Sequence, residues 1–127
     1  MLVYTALGEK SNVLGVPEAL GGPLAKGLLA GQYDASTQFT DPVREAWSSG
    51  QGRSDHLARL RKVEALRCLA RAGRTPAQVA LAFVLAQAGV TVAIPGAKSP
   101  GQARANAAAA DLALSEADWK QARDLTA

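Results

Sequence analysis

Residues 54–73 read SDHLARLRKVEALRCLARAG, in which Val63, Leu66 and Ala70 recur at helical i, i+3, i+7 spacing, flanked by Leu60 and Leu69, and Gly73 closes the run. That pattern predicts an amphipathic helix. The next element is marked more sharply: Thr75 stands as N-cap, Pro76 takes the first helical position, where its missing N–H is no loss, and Gln78 completes a capping box. Its body, VALAFVLAQA, is apolar nearly all round, so a core helix is predicted over residues 76–88, ended by Gly89.

VTVAI, residues 90–94, predicts a short buried strand. Ser99, Pro100 and Gln102 repeat the capping pattern and start a helix reaching about Ala109. A last helix is expected from Ser115, with Glu116 and Asp118 in the first turn favouring the dipole, and with Trp119, Ala122 and Leu125 along it. Strand, tight loop and helix make an α/β unit. Upstream the pattern weakens: residues 12–16 form at best a short strand broken by Pro17, and GGPLAKGLLAG, residues 21–31, reads as a glycine-punctuated loop with an apolar turn. Residues 32–52 look irregular, and a connection of that length in a compact domain is functional or marks missing structure.

With 127 residues, 48% hydrophobic and 20% charged, the chain has the composition of one globular domain at most. No apolar run reaches the roughly 18 to 20 residues of a membrane span, and MLVYTALGEK has neither a basic nor an apolar leader region, so the cytoplasm is the default and no membrane partner is expected. The lone Cys68 allows no intramolecular disulfide and no Cys-rich zinc site; beside Leu66 and Leu69 it is expected to be buried as a small hydrophobe. No metal site is expected. The net charge of +3 conceals a basic cluster, Arg53, Arg59, Arg61, Lys62, Arg67, Arg71 and Arg74, opposed only by Asp55 and Glu64. Nucleic-acid binding would call for interleaved aromatics or a docking motif; a solvated helix face is expected instead, with no nucleic-acid partner.

The chemistry gathers where the strand runs into the helix. Pro95, Gly96, Ala97, Lys98 and Ser99 bring backbone N–H groups, an ammonium and a hydroxyl into one small volume at a helix start, which is the make-up of a phosphate site. Gly96 permits close approach, and Lys98 adds charge without fixed geometry. Gln102 and Asn106, four apart, fall on one helix face just beyond, where two amides are able to read a purine edge. A plain capped α/β turn accounts for the same residues, with Gln102 as cap and Asn106 as a solvated position.

IPGAKSPGQARANAAAADLALS resembles the C-terminal signature of the aldo-keto reductases, NADP(H)-dependent oxidoreductases built on a (β/α)8 barrel. TPAQVALAFVLAQAGVTVAIPGA is similar to that family's seventh barrel helix and eighth strand, and GPLAKGLLAGQYD to the loop after its seventh strand, in the same order and spacing. The resemblance covers residues 15–127 as a partial oxidoreductase domain and leaves residues 1–14 unassigned. It implies an α/β fold, the C-terminal portion of a (β/α)8 TIM barrel, mostly helical with one or two short strands and with the barrel incomplete. It further implies that Gly96, Ala97, Lys98 and Ser99 surround the adenosine 2′-phosphate, that Gln102 and Asn106 face the adenine, and that Gly22, Pro23, Leu24 and Gly27 lie on the pyrophosphate side. Ala105, where members often carry Glu, weakens the adenine contacts, and Gly21 stands where a larger residue packs the nicotinamide.

The family's catalytic Asp, Tyr, Lys and His come from its first strands, and nothing here matches them, so no catalytic residue is assigned. Tyr4 and Tyr33 fall outside the motifs, and His56 is expected to be solvated or partner-facing on the basic helix. Such a barrel takes roughly 250 residues. Pro17 and Glu18 stand where the family has a buried apolar strand, and a truncated or frame-shifted coding sequence is expected. The implied activity is reduction of aldehydes or ketones to alcohols, the carbonyl substrate being a small molecule bound only in a complete barrel. The alternative is a non-catalytic module that associates, with itself or a partner, through an exposed apolar helix at residues 76–88.

Overall fold

The computed structural model describes residues 2–4, 10–12, 18–21, 24–87 and 90–126. In chain order these form β1 (Leu2–Tyr4), β2 (Lys10–Asn12), β3 (Glu18–Gly21), α1 (Gly50–Leu66), α2 (Pro76–Leu85), β4 (Val90–Ile94), α3 (Pro100–Ala108) and α4 (Glu116–Thr126). Short 3-10 helices lie at Glu45–Ser48, Arg67–Leu69 and Ala109–Asp111, and Ala25–Ala30 makes 3-10 turns interrupted by a left-handed kink at Lys26 and Gly27. The described protein is mostly helical, and its strands do not close a barrel. None of the described helices is long and apolar enough to cross a membrane.

The apolar periodicities explain the core. Val63, Leu66 and Leu69 on and just after α1, Val79, Ala80 and Phe83 on α2, Leu28 and Leu29 from Ala25–Ala30, and Ala122 on α4 bury one another. Complete burial of each large aliphatic side chain contributes about 1.5–3 kcal/mol. Helix α2 is central, with Val79 through Val84 all buried. Its start is built as the sequence implies: Thr75 accepts the Gln78 N–H, and the Gln78 side chain accepts the Thr75 N–H at 3.0 Å. The expected stop at Gly89 lies outside the described residues.

Among the described residues two pairs of strands form, beyond the one or two strands expected. Strands β1 and β2 pair antiparallel, Val3 opposite Ser11, within the segment left unassigned. Strands β3 and β4 pair in parallel, with Ala19 opposite Val92, Leu20 opposite Ala93 and Gly21 opposite Ile94. Of the strand expected at residues 12–16, Asn12 ends β2 and residues 13–17 lie outside the described ones. The strand beside β4 begins at Glu18, just past Pro17, the residue expected to break a strand over residues 12–16. Proline is compatible with a strand that starts after it, and pairing with β4 overrides the weak strand propensity of EALG.

Four further expectations need correction. Strand β4 is not buried: Val90 and Ala93 pack on the fully enclosed Val84, while Val92 and Ile94 are exposed. Only β3 flanks it among the described residues, so its other edge has no strand beside it there. Helix α2 is core, so the associating apolar helix of the alternative reading is not on the surface. Cys68 is exposed, because the chain tightens to 3-10 geometry at Arg67–Leu69 and turns Leu69 inward in its place. His56 is 1% exposed, enclosed by the connection that was read as irregular.

That connection is ordered by side chains bonding to backbone. The Asp34 carboxylate accepts the Ser36 N–H at 2.8 Å and the Ser36 hydroxyl at 2.7 Å. Phe39 donates its N–H to Ser48 Oγ at 2.8 Å, and Arg53 reaches from α1 to the carbonyls of Thr37 and Ala35. Gly52 lets the segment cross α1 closely, since a Cβ there would stand 1.9 Å from the Ala46 carbonyl oxygen. The basic cluster is likewise partly spent internally: Arg67 donates to the Gly31 carbonyl at 3.0 Å, and Arg71 and Arg74 both pair with Asp118 on α4.

Candidate functional site

The register of the parallel pair sets where the two candidate loops start. Because Gly21 lies opposite Ile94, the loop that follows β3 and the loop that follows β4 leave neighbouring strands at the same carboxyl end. One of these leads to Leu24 and Gly27, the other to Gly96, Ala97, Lys98 and Ser99. Gly22 and Pro23 lie outside the described residues.

After β4 the chain passes through Pro95, an uncrowded Gly96, and exposed Ala97, Lys98 and Ser99. No atom comes within 4 Å of the position a Cβ would take on Gly96, so packing among the described residues does not require glycine there. Ser99 is extended, φ −148° and ψ 157°, and its hydroxyl accepts the Gln102 N–H at 3.2 Å to cap α3. The Gln102 side chain reaches one residue further back than a capping box would require. Its Oε1 accepts the Lys98 N–H at 2.7 Å. Asn106, one turn on, donates Nδ2–H to the Gly96 carbonyl at 3.2 Å. Both amides therefore converge on the 95–99 loop, and each keeps its other polar atom: Nε2 on Gln102, Oδ1 on Asn106. Gln78 ties α3 to the core by donating Nε2–H to the Ala105 carbonyl at 3.0 Å.

On the opposite side, Ala25, Lys26 and Gly27 follow one another at φ 49°, 58° and 90°. Left-handed backbone at two non-glycine residues in succession is strained and is held by its surroundings. The Leu24 carbonyl accepts N–H groups from Gly27 at 3.0 Å and Leu29 at 3.2 Å, and Lys26 Nζ donates to the Val43 carbonyl at 3.4 Å. Gly27 is favoured by its φ of +90°, and a Cβ there would stand 2.8 Å from the Tyr33 hydroxyl, so the tyrosine would have to shift. Tyr33, which does not correspond to the family's catalytic tyrosine, thus packs against this loop, and its hydroxyl accepts from Arg44. The sequence signal for that contact was the glycine itself.

The carboxylates with displaced protonation serve structure. Hydrogen bonds from Ser36 and Thr37 hold the Asp34 carboxyl below the ordinary carboxylate range. At Asp41 and Asp118 partial burial opposes the charge and is outweighed, by Arg44 in the first case and by Ser115, Arg71 and Arg74 in the second.

Residues 6–127 match the model of the aldo/keto reductase family, and the chain belongs to that family. The match starts upstream of Gly15, where the resemblance was expected to end. The chain is 33% identical over 124 residues to aldo-keto reductase str7 of Strobilurus tenacellus, covering 94% of this chain and 36% of that protein. It is 43% identical over 98 residues to the uncharacterized oxidoreductases Rv2298 of Mycobacterium tuberculosis and Mb2320 of Mycobacterium bovis, over 73% of this chain and 28% of each relative. The chain thus spans 36% of the length of the first of these relatives and 28% of the others.

Proposed function

We propose that this chain is the NADP(H)-binding end of an aldo/keto reductase that reduces aldehydes or ketones to alcohols, and that it does not turn over substrate by itself. The observation that carries the reading is the Gly21 to Ile94 register, which brings the carboxyl ends of two parallel strands, from which both candidate loops depart, to the same level. Ligands of α/β folds bind at that end of the sheet. The residues fit the cofactor's phosphorylated ribose: Lys98 offers a cation, Ser99 a hydroxyl at a helix start, and Gly96 leaves its backbone open to close approach. Gln102 Nε2 and Asn106 Oδ1 supply one donor and one acceptor, the pair that an adenine N7 and N6 edge takes. Leu24 and Gly27 are assigned to the pyrophosphate side; Gly22 and Pro23, assigned with them from the sequence, lie outside the described residues.

When bound, the nicotinamide supplies the hydride; the work of these residues is to bind and orient. The proton for the carbonyl oxygen, and the pocket for a small carbonyl substrate, belong to the remainder of a barrel. A cofactor gripped at one end loses the pre-organised rest of its groove, so affinity for the isolated chain is expected to be weak, on the order of millimolar. Amide chemical-shift mapping with NADPH and with NADH tests the reading. Shifts at Gly96 to Gln102 that are larger with NADPH, and a preference erased by Lys98→Ala, support it. Equal response to both cofactors, or no response in this loop, overturns it. Carbonyl-dependent NADPH oxidation by the purified chain would refute its inactivity alone.

A second reading, association of the chain with itself or a partner, is favoured by the exposed Val92 and Ile94 on β4. A concentration-independent monomer in size-exclusion chromatography counts against it.

A further inference from the structure

The ring cluster around His56 stands apart from the cofactor reading and does not rest on it. His56 is 1% exposed, and neither Nδ1 nor Nε2 meets a hydrogen-bond partner among the described residues. Its ring stacks on Trp47 with centroids 5.1 Å apart and planes 13° from parallel, and meets Phe39 edge-on at 5.2 Å. Phe39 in turn meets Tyr33 at 5.0 Å and Trp47 at 5.4 Å. The imidazole thus fills the place of a flat apolar ring, closing residues 33–48 over α1.

A neutral imidazole is tolerated in such a box; a protonated one is not. It would carry two charged N–H donors with no acceptor in reach. Stacking on Trp47 offsets part of that charge and leaves the N–H groups unpaired. The charged groups around the box do not help. Arg53 and Arg59 on α1 oppose protonation, Arg44 lies over Phe39 and Tyr33 and is paired with Asp41, Glu45 on the 3-10 helix is exposed, and Lys26 lies over Trp47. Burial first, and then the charges of Arg53 and Arg59, hold the imidazole below its ordinary 6.5.

We propose that His56 is a proton-operated latch: when its ring takes up a proton from solvent, it leaves the aromatic box and residues 33–48 release from α1 while the helical core stays folded. The division follows from the packing. Phe39 and His56 hold the segment through ring contacts, and Arg53 adds bonds from α1 to the carbonyls of Thr37 and Ala35. Tyr33 and Trp47 lie at the margin of the core, whose buried centre of Leu28, Leu69, Val79 and Phe83 does not include the His56 ring.

The chain has one histidine, so the imidazole nitrogen resonances of the wild-type protein titrate without ambiguity. The expected midpoint lies below 6.5. Over the same interval the exchange protection of the Phe39 amide, corrected for intrinsic exchange, falls by about tenfold or more, and that of Val84 in α2 holds. In His56→Phe, which keeps the ring and lacks the proton, Phe39 protection stays level with pH. His56→Leu serves the same purpose should that variant fail to fold, and the wild-type titration decides by itself if both fail. A midpoint at or above 6.5, joint loss of protection at Phe39 and Val84, or an unchanged pH response in a folded variant would each overturn the latch.

Discussion

Gln102 Oε1 accepts the backbone N–H of Lys98 at 2.7 Å, so the residue that the capping pattern assigns to helix α3 also fixes the loop in front of it. With Asn106 holding the Gly96 carbonyl, the helix face and the strand-to-helix corner form one unit. Gln102→Leu removes an intramolecular hydrogen bond of about 1 kcal/mol and is expected to speed Lys98 amide exchange roughly fivefold. The stability of α2, measured by exchange at Val84, should be unaffected. An unchanged Lys98 amide would show that the loop holds without Gln102.

Gln78 has two tasks that one substitution separates. Gln78→Glu keeps the carbonyl oxygen that accepts from Thr75, so the capping box survives, but it replaces the amide donor to Ala105 with a carboxylate oxygen facing a carbonyl. A loss of about 1–2 kcal/mol is expected in denaturant unfolding. Thr75→Ala, which breaks the box alone, costs about 1 kcal/mol. Wild-type stability in Gln78→Glu would show that the tie to α3 contributes nothing.

At Gly27 conformation and sterics add. Alanine there must adopt φ +90° and place its Cβ against the Tyr33 hydroxyl. The backbone part costs about 1–2 kcal/mol. Tyr33→Phe should recover only the steric part, so a double-mutant cycle on Gly27→Ala and Tyr33→Phe is expected to show coupling of about 0.5 kcal/mol or more. Strict additivity would mean that the contact does not bear on the substitution.

Asp118 sets a limit on acid stability. Its carboxyl is buried and joined to Arg71 and Arg74, and it is held below the usual 3.8. The folded state therefore binds this proton less readily than the unfolded chain. The contribution is complete above the unfolded carboxylate value and fades as pH falls through the lower folded one. Asp118→Asn should lower Tm at neutral pH and flatten the dependence on pH below 4, roughly. A Tm–pH curve that parallels wild type would exclude the pair as the cause.

Where local rules act alone, the sequence was sufficient. The Thr75, Pro76, Gln78 start of α2, the Ser99 cap of α3, and the burial of Val63, Leu66 and Val79 follow from capping chemistry and a 3.6-residue period. The gathering of Lys98, Gln102 and Asn106 was legible for the same reason, since four residues of helix return a side chain to one face. Less was legible upstream. Nothing in EALG marks a strand until β4 is beside it, and the contact between Gly27 and Tyr33 joins residues on two loops.

His56 and Cys68 show the boundary most directly. The sequence placed His56 on a basic helix and Cys68 among leucines, and burial went the opposite way for each. Phe39 and Trp47, brought over α1 by bonds from Ser48 and Arg53, enclose the imidazole, while a change to 3-10 geometry swings the thiol outward. By itself the sequence determined helix starts, apolar faces, the capped strand-to-helix corner and the family. Tertiary structure alone decided the β3 to β4 register and which polar groups are enclosed, because those depend on contacts between segments far apart in the chain, whose free energy no local pattern records.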